Sequence, residues 1–260
     1  MLKDIKNKLR NDSNCELDIE ELKILYGINN LTYKLDSDLY VRDNYKDLTK
    51  IFGKNFVAST PSEITEETIC YIGDLHIGDK LPTYNLKYIY GSLFYYLDKI
   101  YNLENLECIT GAADFNSLTS ALGLENLEYV YCSLRFDRLL SSAGLDNLKI
   151  IGFDAYFKTL KDARGLSSLV FIGSDANFDS LTDSKGLDNL EEIVGDARFY
   201  NLKKSDGLSS LQSIGKDAFF NKLRDRNGLK KLGYIGGEQY FNGKTIKDYK
   251  RRNKFLCLKK

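Results

Sequence analysis

A repeat of 21 residues runs through most of the chain and limits what it can fold into. Residues 144–164 read GLDNLKIIGFDAYFKTLKDAR, and residues 165–185 read GLSSLVFIGSDANFDSLTDSK. Successive copies start, 21 residues apart, at Gly123, Gly144, Gly165, Gly186, Gly207 and Gly228. Looser copies lie upstream, at Asn102 and in the stretches 85–97 and 72–77. A fixed period of this length is typical of a solenoid, in which each unit covers the apolar face of its neighbour.

Apolar residues recur at fixed positions of the unit. In the copy that starts at Gly144 they are Leu145, Leu148, Ile151, Ala155, Phe157 and Leu160. Ala155 and Phe157 alternate with their neighbours in the way that is typical of a half-buried strand. A unit of 21 residues is too short for a strand, two turns and a long helix, so we expect an extended or short 3₁₀ return path. The pattern predicts a mostly β solenoid with one parallel sheet of about eight or nine short strands.

The run LxxLxxI, followed by GDL-x-I or G-x-DA-x-F, resembles the leucine-rich repeat, and most closely its irregular receptor L-domain variety. The resemblance covers roughly residues 67–243 and implies a solenoid, while such folds serve many different partners. The chain departs from the family after the strand, where the family has asparagine. At that position it has Leu118, Leu139, Leu160, Leu181, Leu202 and Leu223. The regular asparagine ladder and the standard horseshoe curvature of the family therefore do not follow from the resemblance.

Two flanks do not repeat, and we interpret them as caps on the solenoid 67–243. Residues 1–66 are predicted to form a mixed α/β capping module, with a small effector module as the alternative. In this module, Asp18 and Glu21 resemble a capping box before the helical stretch IEELKILY, and a second short helix is expected over 46–52. Residues 244–260 contain eight Lys or Arg against one Asp. We predict a basic C-terminal cap there, with a short helix that starts near Thr245.

Composition excludes some classes of protein. Lys plus Arg and Asp plus Glu are both 37, which argues against a dominant electrostatic footprint for nucleic acid. No apolar run approaches the length of a signal-peptide core or a membrane span. The five cysteines are odd in number and scattered, without a CxxC, which favours a reducing compartment. We therefore expect a cytoplasmic monomer that does not associate with membranes.

Catalytic motifs are missing from the sequence. There is a single histidine, His76, which we interpret as a lone surface residue on an early rung. There is no GxSxG, P-loop or GxGxxG, so we expect no enzyme, no cofactor and no metal. An enzyme site within residues 1–66 is the least favoured alternative. One acidic row recurs before the strand, at Asp154, Asp175, Asp196, Asp217 and Glu238. The row could bind calcium, but the calcium-binding repeats have a different period. We prefer a structural role as an Asx-type turn, in which each carboxylate accepts backbone N–H bonds at the entry to the strand.

The two outward positions of the predicted strand vary from copy to copy, whereas the core positions stay fixed. Fixed core and variable surface are what a recognition face on a scaffold requires, and Arg and Tyr are enriched in binding hot spots. The alternative is that aromatic residues simply suit exposed strands and stack across rungs. The candidate partner-binding residues are Arg135, Tyr156, Lys158, Arg198, Tyr200, Phe219 and Tyr240.

The leading hypothesis is a non-enzymatic scaffold that binds a protein partner through the outward face of its parallel sheet. The abundance of Lys, Ile, Asn and Tyr suggests an AT-rich genome, and one concrete form is a phage- or plasmid-encoded inhibitor that blocks a host factor. The alternative is binding of nucleic acid or a ribonucleoprotein through the basic tail. The tail residues concerned are Lys250, Arg251, Arg252 and Lys254.

Overall fold

The computed structural model describes residues 45–242 and 244–245, and it shows a parallel β-solenoid. Two sheets run along its length, each with ten strands. Sheet 1 consists of Val57–Ala58, Cys70–Ile72, Tyr88–Tyr90, Cys108–Ile109, Tyr129–Val130, Ile150–Ile151, Phe171–Ile172, Glu192–Ile193, Ser213–Ile214 and Tyr234–Ile235. Sheet 2 consists of Leu75–Ile77, Leu93–Tyr95, Ala113–Asp114, Leu134–Arg135, Ala155–Tyr156, Ala176–Asn177, Ala197–Arg198, Ala218–Phe220, Gln239–Phe241 and Lys244–Thr245.

The repeat sets the register of both sheets. Ala155 pairs with Ala176, and Ile151 pairs with Ile172, in each case 21 residues on. The predicted mostly β solenoid is therefore confirmed, with strands at the DA-x-F positions as expected. The second sheet was not predicted, because only one inward apolar residue recurs at the I-G positions, such as Ile151, and Gly152 follows it. The sequence therefore shows no alternation there, whereas Ala155 and Phe157 alternate in the other sheet.

The core lies between the two sheets and consists of columns in which the same residue type recurs from rung to rung. Leu145, Leu148, Ile151 and Phe157 are all buried, as predicted, while Tyr156 points outward and is half-buried. The phenylalanines stack from rung to rung with ring centroids 4.9–5.8 Å apart. They are Phe115, Phe136, Phe157, Phe178, Phe199, Phe220 and Phe241. Each rung thus buries the ring of the rung beside it.

The turns are held by polar groups that reach from one rung to the next. The buried Ser142 donates its hydroxyl to the Asp162 carbonyl (3.1 Å) and accepts the Gly165 N–H (2.9 Å). A Cβ at position 165 would collide with the Ser142 carbonyl oxygen, which explains the glycine. The predicted short 3₁₀ turns of the return path are found at Arg164–Leu166, Asp206–Leu208 and Asn227–Leu229.

Helix α1, Tyr45–Phe52, confirms the helix predicted over 46–52. It packs on the outward side of the first strands of sheet 1, where Leu48 forms a buried cluster with Cys70 and Tyr90. Short 3₁₀ turns follow at Lys54–Phe56 and Pro61–Glu63. Within the described ranges, none of the helices has the length and apolar character that a membrane crossing requires.

At the other end, Lys244–Thr245 pairs antiparallel with Gln239–Phe241 and closes a hairpin on sheet 2. Thr245 therefore belongs to a strand, and the remainder of the helix predicted in the tail lies outside the described residues. The helical stretch IEELKILY also lies outside them. The division of the chain at residues 66 and 244 stays a prediction.

Candidate protein-interaction face

The outward face of sheet 2 holds all seven candidate binding residues. They lie on the strands between Leu134–Arg135 and Gln239–Phe241, or within two residues of a strand end. The alternation of the strands puts them outside, because their neighbours Phe157 and Phe199 fill the core. Arg135 and Lys158 are exposed, and the other five are half-buried against the sheet.

Three aromatic candidates form a continuous patch near the C-terminal end of this face. The Phe219 and Tyr240 rings stack at 4.8 Å with an interplanar angle of 7°. Tyr200 tilts against Phe219 at 5.3 Å. These contacts fit the packing alternative, in which aromatics stack across rungs, and they also leave a large amphipathic surface at one place.

The charged candidates are fixed by neighbouring rungs. The Arg198 guanidinium lies 3.2 Å from the Asp196 carboxylate and 3.6 Å from that of Asp175. The Arg135 guanidinium lies 4.6 Å from the centre of the Tyr156 ring, in a cation–π contact. Such contacts reduce the freedom of the side chains before a partner arrives, which lowers the entropic cost of binding.

Buried polar atoms without a hydrogen bond surround Tyr200. In the described part of the chain these atoms are Asp179 Oδ1, Arg198 Nε and Asn221 Oδ1. Asp179 precedes Tyr200 by one rung, Asn221 follows it by one rung, and Arg198 shares its rung. Burial raises the pKa of the Asp179 carboxyl, partly offset by a hydrogen bond from Asn177 and by the charges of Arg198 and Lys158. Buried polar atoms in this state cost folding free energy, which a partner able to bond them would recover.

The acidic row has a structural role, but it bridges rungs instead of capping local turns. Asp154 Oδ1 accepts the backbone N–H of Asp175 at 3.1 Å, and Asp175 Oδ1 accepts that of Asp196 at 2.9 Å. The same bond recurs from Asp196 to Asp217 and from Asp217 to Glu238. One carboxylate oxygen of each aspartate is thereby used by the neighbouring rung. Within the described residues, no group of three or more His, Cys, Asp or Glu side chains is arranged to hold a metal ion.

The N-terminal end of the same face carries an aromatic cluster that sequence reasoning missed. His76, predicted to be a lone surface residue, is exposed and stacks on Phe94 at 4.5 Å. Its Nδ1 lies 2.8 Å from the Tyr96 hydroxyl. Phe94 and Tyr96 lie in the looser copy at 85–97, and aligning its YGSLFYYL with the later DA-x-F strands would have placed both outside.

Fold and site together define a class: a two-sheet parallel β-solenoid with rungs of 21 residues and one chemically variable face. The four candidate nucleic-acid-binding residues, Lys250, Arg251, Arg252 and Lys254, lie outside the described part of the chain. No protein-family model matches the sequence, and no curated protein or solved structure shows significant similarity to it.

Proposed function

We propose that this protein is a non-enzymatic interaction scaffold that binds a protein partner across the outward face of sheet 2. The observation that carries the proposal is the set of side chains around Tyr200. Aromatic and arginine side chains meet there, and they lie beside buried polar atoms that lack hydrogen bonds. A partner that rearranges this patch can satisfy those atoms and bury the rings, which is the composition of a hot spot.

The proposal extends to the type of repeat and its setting. The buried leucines of each GLxxL turn and the variable strand face support a leucine-rich-repeat type of solenoid. Cys70, Cys108 and Cys132 are free thiols, which supports a reducing location such as the cytoplasm. A phage- or plasmid-encoded inhibitor that docks on a host factor is one form that this function could take.

The test is to isolate a partner by affinity capture and then to compare face and control variants by calorimetry. Arg198→Ala and Tyr200→Ala should each weaken binding by about 2 kcal/mol or more if they are hot spots. The matched controls are Arg164→Ala and Tyr234→Ala, which remove the same side chains from exposed positions off this face. Full affinity in both face variants would reject the proposal.

Nucleic-acid binding is the second candidate, and one observation favours it. Lys244 and Thr245, the first residues of the basic segment 244–260, pair with the strand that holds Tyr240, so this segment begins next to the aromatic patch. Aromatic side chains next to cations suit single-stranded nucleic acid. Neutralising Lys250, Arg251 and Arg252 together should then abolish binding. In the unaltered protein, the slope of log K against log salt concentration should be about −0.7 for each phosphate that the tail neutralises.

A further inference from the structure

The outward side of sheet 1 carries a row of apolar side chains that extends beyond the part covered by helix α1. Strand pairing aligns Cys70, Tyr88, Cys108, Tyr129, Ile150 and Phe171 in register along this side. The next two positions of the row are Glu192 and Ser213. The row is therefore apolar or aromatic over six rungs and becomes polar abruptly at Glu192.

Helix α1 accounts for the start of this row only. Its residues Leu48, Ile51 and Phe52 pack with Cys70 and Tyr88, and Phe52 lies 5.5 Å from the Tyr88 ring. The buried cluster under α1 ends at this point. Four further rungs, from Cys108 to Phe171, continue the same apolar surface toward the C-terminal end.

Side chains beyond α1 are nevertheless shielded from water. Tyr129 points outward but is only 6% exposed, and Cys108 and Ile150 are half-buried. Burial raises the pKa of the Cys108 thiol and of the Tyr131 hydroxyl. Described neighbours supply part of this cover, since the Tyr129 ring stacks on Tyr131 at 6.1 Å and lies 5.4 Å from the Lys149 ammonium. The half-buried Cys108, Ile150 and Phe171 keep apolar surface that a further layer can bury.

We propose that the row from Cys108 to Phe171 is the docking site of the chain segment that precedes α1, through its apolar stretch 19–26. That segment reaches the structure at Tyr45, the first residue of α1 and thus already on this face. The stretch IEELKILY has the helical pattern noted in the sequence. As a helix of eight residues it would be about 12 Å long. The row spans three strand spacings, or about 14 Å.

The dimensions and the change to polar residues both fit this occupant. A helix that continues the layer begun by α1 needs an apolar surface of its own length, ending where Glu192 begins. Docking there also leaves sheet 2 as the free face, although the inference does not depend on what sheet 2 binds.

Native cysteines report on the proposal in the full-length chain. Cys15 lies just before the docking stretch, and Cys108 and Cys132 lie on or beside the row. A short bismaleimide should cross-link Cys15 to Cys132, the half-buried thiol beside the row, within one molecule, as read by peptide mass spectrometry. Cross-links that form only between molecules, or that disappear on dilution, would overturn the proposal and assign the row to a second copy.

A pair of variants tests the same contact without cross-linking. Leu22→Ser removes an apolar side chain from the docking stretch, and Glu20→Ser places the same residue at a charged position as the control. Alkylation of Cys108 by N-ethylmaleimide should accelerate at least about tenfold in Leu22→Ser only, because it follows local opening. Cys70, buried under α1, should stay protected in both. An unchanged Cys108 rate, or a Cys70 rate that rises with it, would overturn the proposal.

Discussion

Leu187 and Arg198 belong to the same rung and illustrate two kinds of position. Leu187 is fully buried in the column shared by the rungs, whereas Arg198 lies on the variable face. Leu187→Ala should therefore lower the free energy of unfolding by about 2–5 kcal/mol, because a cavity is left in the core. Lys158 lies on the same variable face as Arg198 and is exposed. Lys158→Ala should therefore change the free energy of unfolding by no more than about 0.5 kcal/mol. Urea denaturation would measure both, and similar values for the two variants would contradict the distinction.

Asp179 lies on the outward face of sheet 2, and the burial of its carboxylate destabilises the folded protein. Because its pKa is raised in the folded state, ionisation disfavours folding, and the cost grows as pH rises above the unfolded value of about 3.9. Asp179→Asn should raise the melting temperature at neutral pH. The gain should vanish in acid, where the carboxyl of the parent protein is protonated. The exposed Asp206→Asn serves as control, and an equal gain there would show a general charge effect instead.

At the scale of elements, the acidic row ties each rung to the next at the entry to sheet 2. Asp154→Ala removes the acceptor for the Asp175 N–H and should cost about 0.5–1.5 kcal/mol. Asp154→Asn keeps the Oδ1 acceptor and should cost clearly less, so the pair isolates the inter-rung bond. Thermal unfolding of both variants would measure the difference, and equal stabilities would show that the bond contributes little.

The sequence predicted those elements whose signal lies within one unit. The period, the core positions and the outward placement of Tyr156 all follow from residues that repeat in register. The second sheet could not be predicted in this way, since the strand Ile150–Ile151 contributes a single recurring inward residue, Ile151, and so shows no alternation. The acidic row showed that Asp154 had a fixed role, but not whether its partner was local or one rung away. Packing of α1 on the outside of sheet 1 depends on Cys70, which precedes the looser copy at 72–77, and on Tyr88, which lies in the looser copy at 85–97.

At the scale of the whole molecule, the segments at the two ends of the solenoid are expected to keep it soluble by covering its terminal rungs. Residues 1–66 include α1 and the strand Val57–Ala58, which pairs with Cys70–Ile72. Deleting 1–66 should expose Ile72 and Tyr90, which are buried beside α1, and should cause self-association. Deleting 244–260 should act similarly at the other end. Size-exclusion chromatography would test both, and a monomeric, equally stable 67–243 fragment would favour the effector-module alternative for 1–66.

The antiparallel strand Lys244–Thr245 has a consequence for how far such a stack can grow. All earlier pairs of sheet 2 are parallel, and neighbouring copies of the repeat pair in register. A parallel, in-register stack is also the geometry of an amyloid filament, in which each layer is a template for the next. Within the described residues, the last strand of sheet 2 runs in the opposite direction and presents the wrong template to the first rung of another molecule. Among the described residues, sheet 2 thus ends on a strand of only two residues, and very short edge strands are one of the features that limit edge-to-edge pairing.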